Sequence, residues 1–161
     1  MLAEEQAKIN ALWKIQIRRA DTEELIREQT IKNVVTDLGK EFVAHRYVTR
    51  SLERITWVMV LGTGTGTPAS TDTNLWSPVD ASEKGGSLTR SGNIVQYYVR
   101  YLPEDANGYT YTEAGIYDQI PVNAQPPLYP KGKLINHVLI DPAIQKTADI
   151  LVDFYVQIQF T

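Results

Sequence analysis

The stretch that decides the fold closes the chain: Ile150-Leu151-Val152-Asp153-Phe154-Tyr155-Val156-Gln157-Ile158-Gln159-Phe160. Ile150, Val152, Phe154, Val156, Ile158 and Phe160 fall on one side of an extended chain. Leu151, Asp153, Tyr155, Gln157 and Gln159 fall on the other. An apolar row at period two, opposite a mostly polar row, predicts a long strand lying along the core of a sandwich or barrel.

Working outward, the same period recurs near the start. Trp13, Ile15 and Ile17 alternate with Lys14, Gln16 and Arg18, and Ala20 to Glu24 reads as a turn. Leu25 to Val35 then reads as a returning strand. A helix from Thr22 to Lys32, with Thr22 as cap and Leu25, Ile26 and Gln29 inward, is the competing reading; the clean alternation before the turn favours the hairpin. Residues 2–11 read as a short helix with Leu2, Gln6, Ile9 and Trp13 on one stripe, too short to stand alone. Thr36-Asp37 is a helix cap, followed by Leu38, Phe42, Val43 and Tyr47 at helical spacing.

Ile55 to Leu61 is apolar on both faces and predicts a central strand. Residues 69–92 are rich in Ser, Thr, Asp, Asn and Gly and predict a long loop with a turn of helix near Thr73 to Leu75. Asn93 to Leu102 carries Val95, Tyr97, Val99 and Tyr101 on one side. Asn107-Gly108 then predicts a hairpin turn into Tyr109 to Tyr117. A Pro-rich crossing from Pro121 to Pro130 precedes a strand from Lys133 to Ile140. The expected architecture is mainly β, an antiparallel sandwich or barrel-like domain over 12–161 with one covering helix, preceded by an N-terminal arm over 1–11.

Composition narrows function. With 43% hydrophobic and 22% charged residues the chain has enough apolar surface for a core. A net charge of −3 disfavours nucleic acid and anionic lipid as partners. No apolar run approaches the roughly 18 residues needed to span a bilayer, and the acidic start lacks the features of a signal peptide. Cysteine is absent, which removes thiol chemistry and thiolate metal sites.

Gly62, Gly64 and Gly66 follow a buried strand, as a phosphate loop would. But Thr67-Pro68 stands where a Lys-Ser or Lys-Thr step and a helix are needed, and the next lysine is Lys84. The glycines therefore read as a structural turn. His45 and His137 read as packing or surface residues. A metal site would have to recruit carboxylates such as Asp149 and Asp153, a spacing that any polar strand face produces. No Gly-x-Ser-x-Gly elbow frames a serine, and no carboxylate pair stands out. The expectation is a chain that is not an enzyme and carries no cofactor or metal.

The nine tyrosines are the informative excess. Tyr97, Tyr98, Tyr101, Tyr109, Tyr111 and Tyr117 are expected in two adjacent strands, where they serve either cross-strand packing or a contact surface. The candidate contact residues are Leu2, Ile9, Trp13, Trp76, Tyr97, Tyr109, Tyr111 and Tyr129.

Four ordered segments resemble a family of small tailed-bacteriophage virion proteins, encoded among tail, baseplate and fibre genes. They are Ile31-Lys32-Asn33-Val34-Val35-Thr36-Asp37-Leu38-Gly39; Val60-Leu61-Gly62-Thr63-Gly64-Thr65 with Pro68 to Leu75; Tyr111-Thr112-Glu113-Ala114-Gly115-Ile116-Tyr117-Asp118; and Ile144-Gln145-Lys146-Thr147-Ala148-Asp149. The likeness covers about residues 31–161 and is weaker at 1–30 and 119–132. This chain has Phe154 and Tyr155 where that family commonly carries a tryptophan. The resemblance implies a virion component assembled in the host cytoplasm, a homo-oligomer bound to other virion proteins, with no catalytic residues to transfer. Tail, baseplate or fibre attachment is the expected place. Capsid decoration and a module for a host receptor or glycan are the alternatives. Met1 to Asn10, residues 66–92 and Pro121 to Pro130 are the expected contact arms.

Overall fold

The computed structural model describes residues 8–49, 57–119 and 131–161. Among these residues, ten strands form two five-stranded sheets. They are β1 (Ile9–Arg19), β2 (Leu25–Lys32), β3 (Val34–Val35), β4 (Trp57–Gly62), β5 (Lys84–Gly85), β6 (Ser87–Ser91), β7 (Ile94–Tyr101), β8 (Thr110–Gln119), β9 (Lys131–Gln145) and β10 (Ile150–Phe160), with one helix α1 (Asp37–Thr49). The first sheet has the order β2-β1-β10-β7-β6 and the second β3-β9-β8-β4-β5, and every pairing is antiparallel. This is the expected β-rich architecture in its sandwich form, not a closed barrel.

The closing strand β10 occupies the middle of the first sheet. It pairs with β1 from Ile9↔Phe160 to Arg19↔Ile150, and with β7 on its other side. Its apolar row faces inward, with Val152, Phe154, Val156 and Ile158 all buried. Trp13 and Tyr101 meet Phe154 edge to face, at centroid distances of 6.0 and 5.7 Å, the geometry that aromatic quadrupoles favour. Across the gap stand Trp57, Met59, Leu61, Ile116, Ile135 and Val138 of the second sheet, in the same core cluster. Tyr97 Oη donates to the Trp57 carbonyl of β4 at 2.9 Å and so joins the sheets directly, while Tyr101 Oη donates at 2.8 Å to the carbonyl of Ser82, whose hydroxyl is in turn bonded to Leu61 of β4.

The helix begins where its cap predicts. Thr36 Oγ1 accepts from the Gly39 amide at 3.0 Å and donates to the β9 backbone at Leu134 and Ile135. A side chain at Gly39 would collide with the Ile135 backbone, which is why the helix can lie so close to β9. Phe42 is buried in the inter-sheet core and Val43 packs against it.

Several expectations change. The strand β1 begins at Ile9, and Lys8 already pairs with Thr161 through two backbone bonds of 2.6 and 2.8 Å. Lys8 to Ala11 therefore belong with the sheet rather than to an arm or a helix; residues 1–7 of the expected arm, Leu2 included, lie outside the described residues, as do Pro121 to Pro130. The returning strand is split at Asn33, where the chain leaves the first sheet (β2) for the second (β3). The expected 69–92 loop carries β5, β6 and a single 3-10 turn at Asp80–Ser82 in place of one near Thr73 to Leu75. Asn107-Gly108 does not make a hairpin, because β7 and β8 lie in different sheets. The segment is a corner instead, with positive φ at Ala106 (54°) and Gly108 (92°). The residues between Tyr101 and Thr110 are too many for the tight turn that Asn-Gly favours.

Phe154→Ala removes the ring at the centre of this packing. It is expected to lower stability by about 3–5 kcal/mol, measured by urea unfolding; a loss below about 1 kcal/mol would show that this ring does not organise the core.

Candidate functional site

The polar groups that converge most tightly lie on the outer face of the second sheet. There β8 and β9 put Glu113 and His137 on adjacent strands, both fully buried. His137 Nε2 lies 2.9 Å from Glu113 Oε2, and its Nδ1 lies 2.7 Å from Asp72 Oδ2. Asp72 comes from the 63–79 segment that crosses over this face. Trp76, from the same segment, packs against the His137 ring, with centroids 4.3 Å apart and the planes tilted by 58°.

Glu113 does more than hold the imidazole. Its Oε1 accepts from the amides of Gly64 (3.0 Å) and Ser77 (2.7 Å), and its Oε2 from that of Trp76 (3.0 Å). One carboxylate thus ties both ends of the crossing segment to the sheet. Thr112 Oγ1 donates to the Gly64 carbonyl at 2.6 Å. Tyr117 Oη accepts from the Leu75 amide at 2.9 Å and donates to Asn74 Oδ1. Leu75 then drops into a small apolar cluster with Val58, Val60, Tyr117 and Leu134. This explains why β4 is apolar on both faces: one face meets the inter-sheet core, the other meets the crossing segment.

The glycines now have a physical role. A Cβ on Gly62 would strike the Glu113 carboxylate, and one on Gly64 would come within 2.6 Å of Glu113 Oε1. The glycine cluster is the space that lets a buried carboxylate reach the backbone, which agrees with the structural reading and not with a phosphate loop.

Burial pushes the Glu113 carboxyl upward, but the hydrogen bonds from His137 and from three backbone amides outweigh it and hold the group below its ordinary value. Burial likewise pushes His137 downward, and its bonds to Glu113 and Asp72 outweigh that and raise it. The result is an imidazole clamped between two carboxylates, both of which favour its protonated form. Both ring nitrogens and both Glu113 oxygens are engaged, so the arrangement acts as a clasp. Among the described residues no group of three His, Cys, Asp or Glu side chains is placed to hold a metal ion.

The carboxylates singled out from strand spacing separate. Asp153 is buried and held by Arg100 through bonds of 2.7 and 3.0 Å, by Tyr98 Oη at 2.8 Å and by Arg18 at 3.5 Å. Asp149 is exposed and precedes β10 rather than sharing its face. Lys146 of the fourth resembling segment is also buried. Its Nζ donates to Leu102 O, Asn107 Oδ1 and Thr147 O at 2.9–3.0 Å, locking the β7–β8 corner.

Of the candidate contact residues, Trp13, Tyr97 and Tyr111 are core residues, at 0%, 1% and 0% exposure. Inward alternation places them there, and Tyr97 and Tyr111 satisfy their hydroxyls internally, Tyr111 on the Ala106 carbonyl at 2.8 Å. Ile9 is half-buried on β1. Trp76 and Tyr109 are exposed; Leu2 and Tyr129 lie outside the described residues, as does the His45 side chain. The expected cluster in two adjacent strands does not form, since β7 and β8 face each other from opposite sheets. Sequence reasoning missed Glu113 and His137 as partners. The available signal was an acid inside the apolar run from Tyr111 to Tyr117. No family model matches this chain, and searches of curated proteins and of solved structures return no match.

Two measurements follow. A histidine whose value is raised by folding adds stability that is fully present below its ordinary value of 6.5 and fades as pH climbs through the folded value. Glu113, lowered by folding, adds stability above its ordinary value of 4.5 that fades as pH falls through the folded value. His137→Gln is expected to cost about 1.5–3 kcal/mol near pH 6, and the gap between it and the wild type should narrow toward pH 9; a pH-independent gap would show that the imidazole is neutral in the fold. Gly64→Ala is expected to cost about 1–3 kcal/mol by overpacking, read from thermal or urea unfolding.

Proposed function

We propose that this chain is a non-enzymatic structural subunit of a tailed-phage particle. Its place is the tail, baseplate or fibre-attachment region, where copies contact one another and other virion proteins under symmetry. The observation that carries this reading is the use to which the resembling segments are put. The glycine segment at 60–75 is clasped by Glu113 of the 111–118 segment. Lys146 of the 144–149 segment locks the β7–β8 corner. The 31–39 segment provides the sheet switch and the helix cap. Charged groups in three of the four are spent on fixing long connections against a rigid sandwich.

That design suits an assembly part. A particle is held by contacts repeated under symmetry, and each contact loses less entropy on forming when the presented segment is already ordered. The crossing segment meets this need. Its backbone is pinned at 64, 75, 76 and 77, while the Trp76 ring stays 37% exposed at its surface. Aromatic rings on a fixed backbone are the side chains that protein interfaces favour.

Immunoelectron microscopy of purified particles with an antibody against this chain tests the proposal. Regular labelling of the tail or baseplate is the expected result. Labelling over the capsid shell would move the chain to a decoration role, and absence from purified particles would sink the reading.

A further inference from the structure

The outer face of the first sheet holds a groove that the clasp and the core leave unexplained. Strand register builds it in rows. One row runs Thr30, Lys14, Tyr155, Tyr98, Ser87 across five strands, and the next runs Lys32, Leu12, Gln157, Gln96, Thr89. Between them lies a depression of about 400 Å³, continuing through Leu12 and Gln157 into a second of about 420 Å³ beside Asn10 and Asn33.

We propose that this groove binds an acidic glycan, a chain of sugars carrying carboxylates, with Tyr155 as the stacking ring and Lys14 as the counter-ion.

Three features select that chemistry. The first is aromatic. Tyr155 is 37% exposed and leans on Tyr98 at 5.0 Å, while Tyr98 is pinned by its bond to Asp153. A fixed, half-open ring offers a flat face to sugar C–H groups at little entropy cost. The second is the run of neutral amides and hydroxyls. Gln96 and Gln157 sit directly opposite each other in register, flanked by Thr89. Side-chain amides supply paired donors and acceptors, which is what adjacent sugar hydroxyls require. Asn33, at the far end, has both amide atoms shielded and, among the described residues, without a hydrogen-bond partner.

The third feature is charge. On a chain of net charge −3, Lys14 and Lys32 line the two depressions and, among the described residues, no carboxylate does. The acids nearest on this face are otherwise engaged, Asp153 with Arg100 and Glu28 with Gln16. The Lys14 ammonium lies over the Tyr155 ring, 5.0 Å from its centre, on the face that a stacked sugar would share with it. A carboxylate on that sugar would meet the ammonium directly, a charge-assisted contact that a neutral sugar lacks. The groove thus relocates the tyrosine contact surface from Tyr97, Tyr109 and Tyr111 to Tyr98 and Tyr155.

The test uses the full chain, titrated with an oligogalacturonate and with a malto-oligosaccharide of equal length, followed by amide NMR shifts and calorimetry. The uronate is expected to shift signals of Lys14, Gln96, Tyr155 and Gln157 and to bind more tightly than the neutral sugar. Tyr155→Ala should weaken it roughly tenfold or more. Lys14→Gln should abolish the preference for the uronate, and Tyr109→Ala should bind as the wild type does. Unchanged unfolding midpoints would show that the variants fold. No shift on this face at millimolar uronate, equal binding of both sugars, or a dimer that Tyr155→Ala dissociates would overturn the proposal, the last by showing that a second copy covers the groove.

Discussion

The pairing of β1 with β10 is the constraint on which the fold depends. It joins the first described residues to the last in one continuous ladder, and it puts both strands next to each other inside the first sheet. Because side chains alternate with period two, this one register decides which row of each strand is inward. Trp13, Ile15 and Ile17 go in beside Val156, Phe154 and Val152; Lys14 and Tyr155 go out together. A slip of one residue would bury Lys14 and expose Trp13. Core and outer groove are two faces of the same choice.

The second sheet solves a different problem. Its strands β4, β8 and β9 are apolar or buried on both sides, so the outer side needs a cover. The 63–79 segment provides it, laying Leu75 against Val58, Val60, Tyr117 and Leu134. A segment of that length without regular structure carries many backbone groups that must find partners when covered. The chain meets this need with one carboxylate, Glu113, which accepts three backbone amides and one imidazole. A charged acceptor is costly to bury alone, and His137, held on its other nitrogen by Asp72, gives Glu113 a partner whose protonated form offsets part of that cost.

Legibility in the sequence followed period and failed at long range. The strands β1, β7 and β10 and the cap at Thr36 were readable because alternation and capping are local. The sheet switch at Asn33 was not, since nothing in Ile31 to Val35 distinguishes one strand from two strands in different sheets. The Asn107-Gly108 corner misled for a similar reason: positive φ serves a sheet corner as well as a hairpin. Tyr97 and Tyr111 were legible as large residues of β strands, but their role turned on which strand lay opposite. Glu113 and His137 are 24 positions apart, and only the β8–β9 register brings them together.

The two outer faces divide the labour that the sequence distributes along its length. On the second sheet Glu113, His137 and Asp72 are turned inward on one another, and the product is rigidity. On the first sheet Asp153 and Arg100 form a similar answered pair one row from Tyr155 and Lys14, and Tyr98 ties the two rows through its bond to Asp153. The answered row fixes the ring that the next row presents. A surface built in this way, a closed network beside an open one, is preorganised for a ligand without having been collapsed onto itself, because the groups that hold its shape are not the groups left to bind.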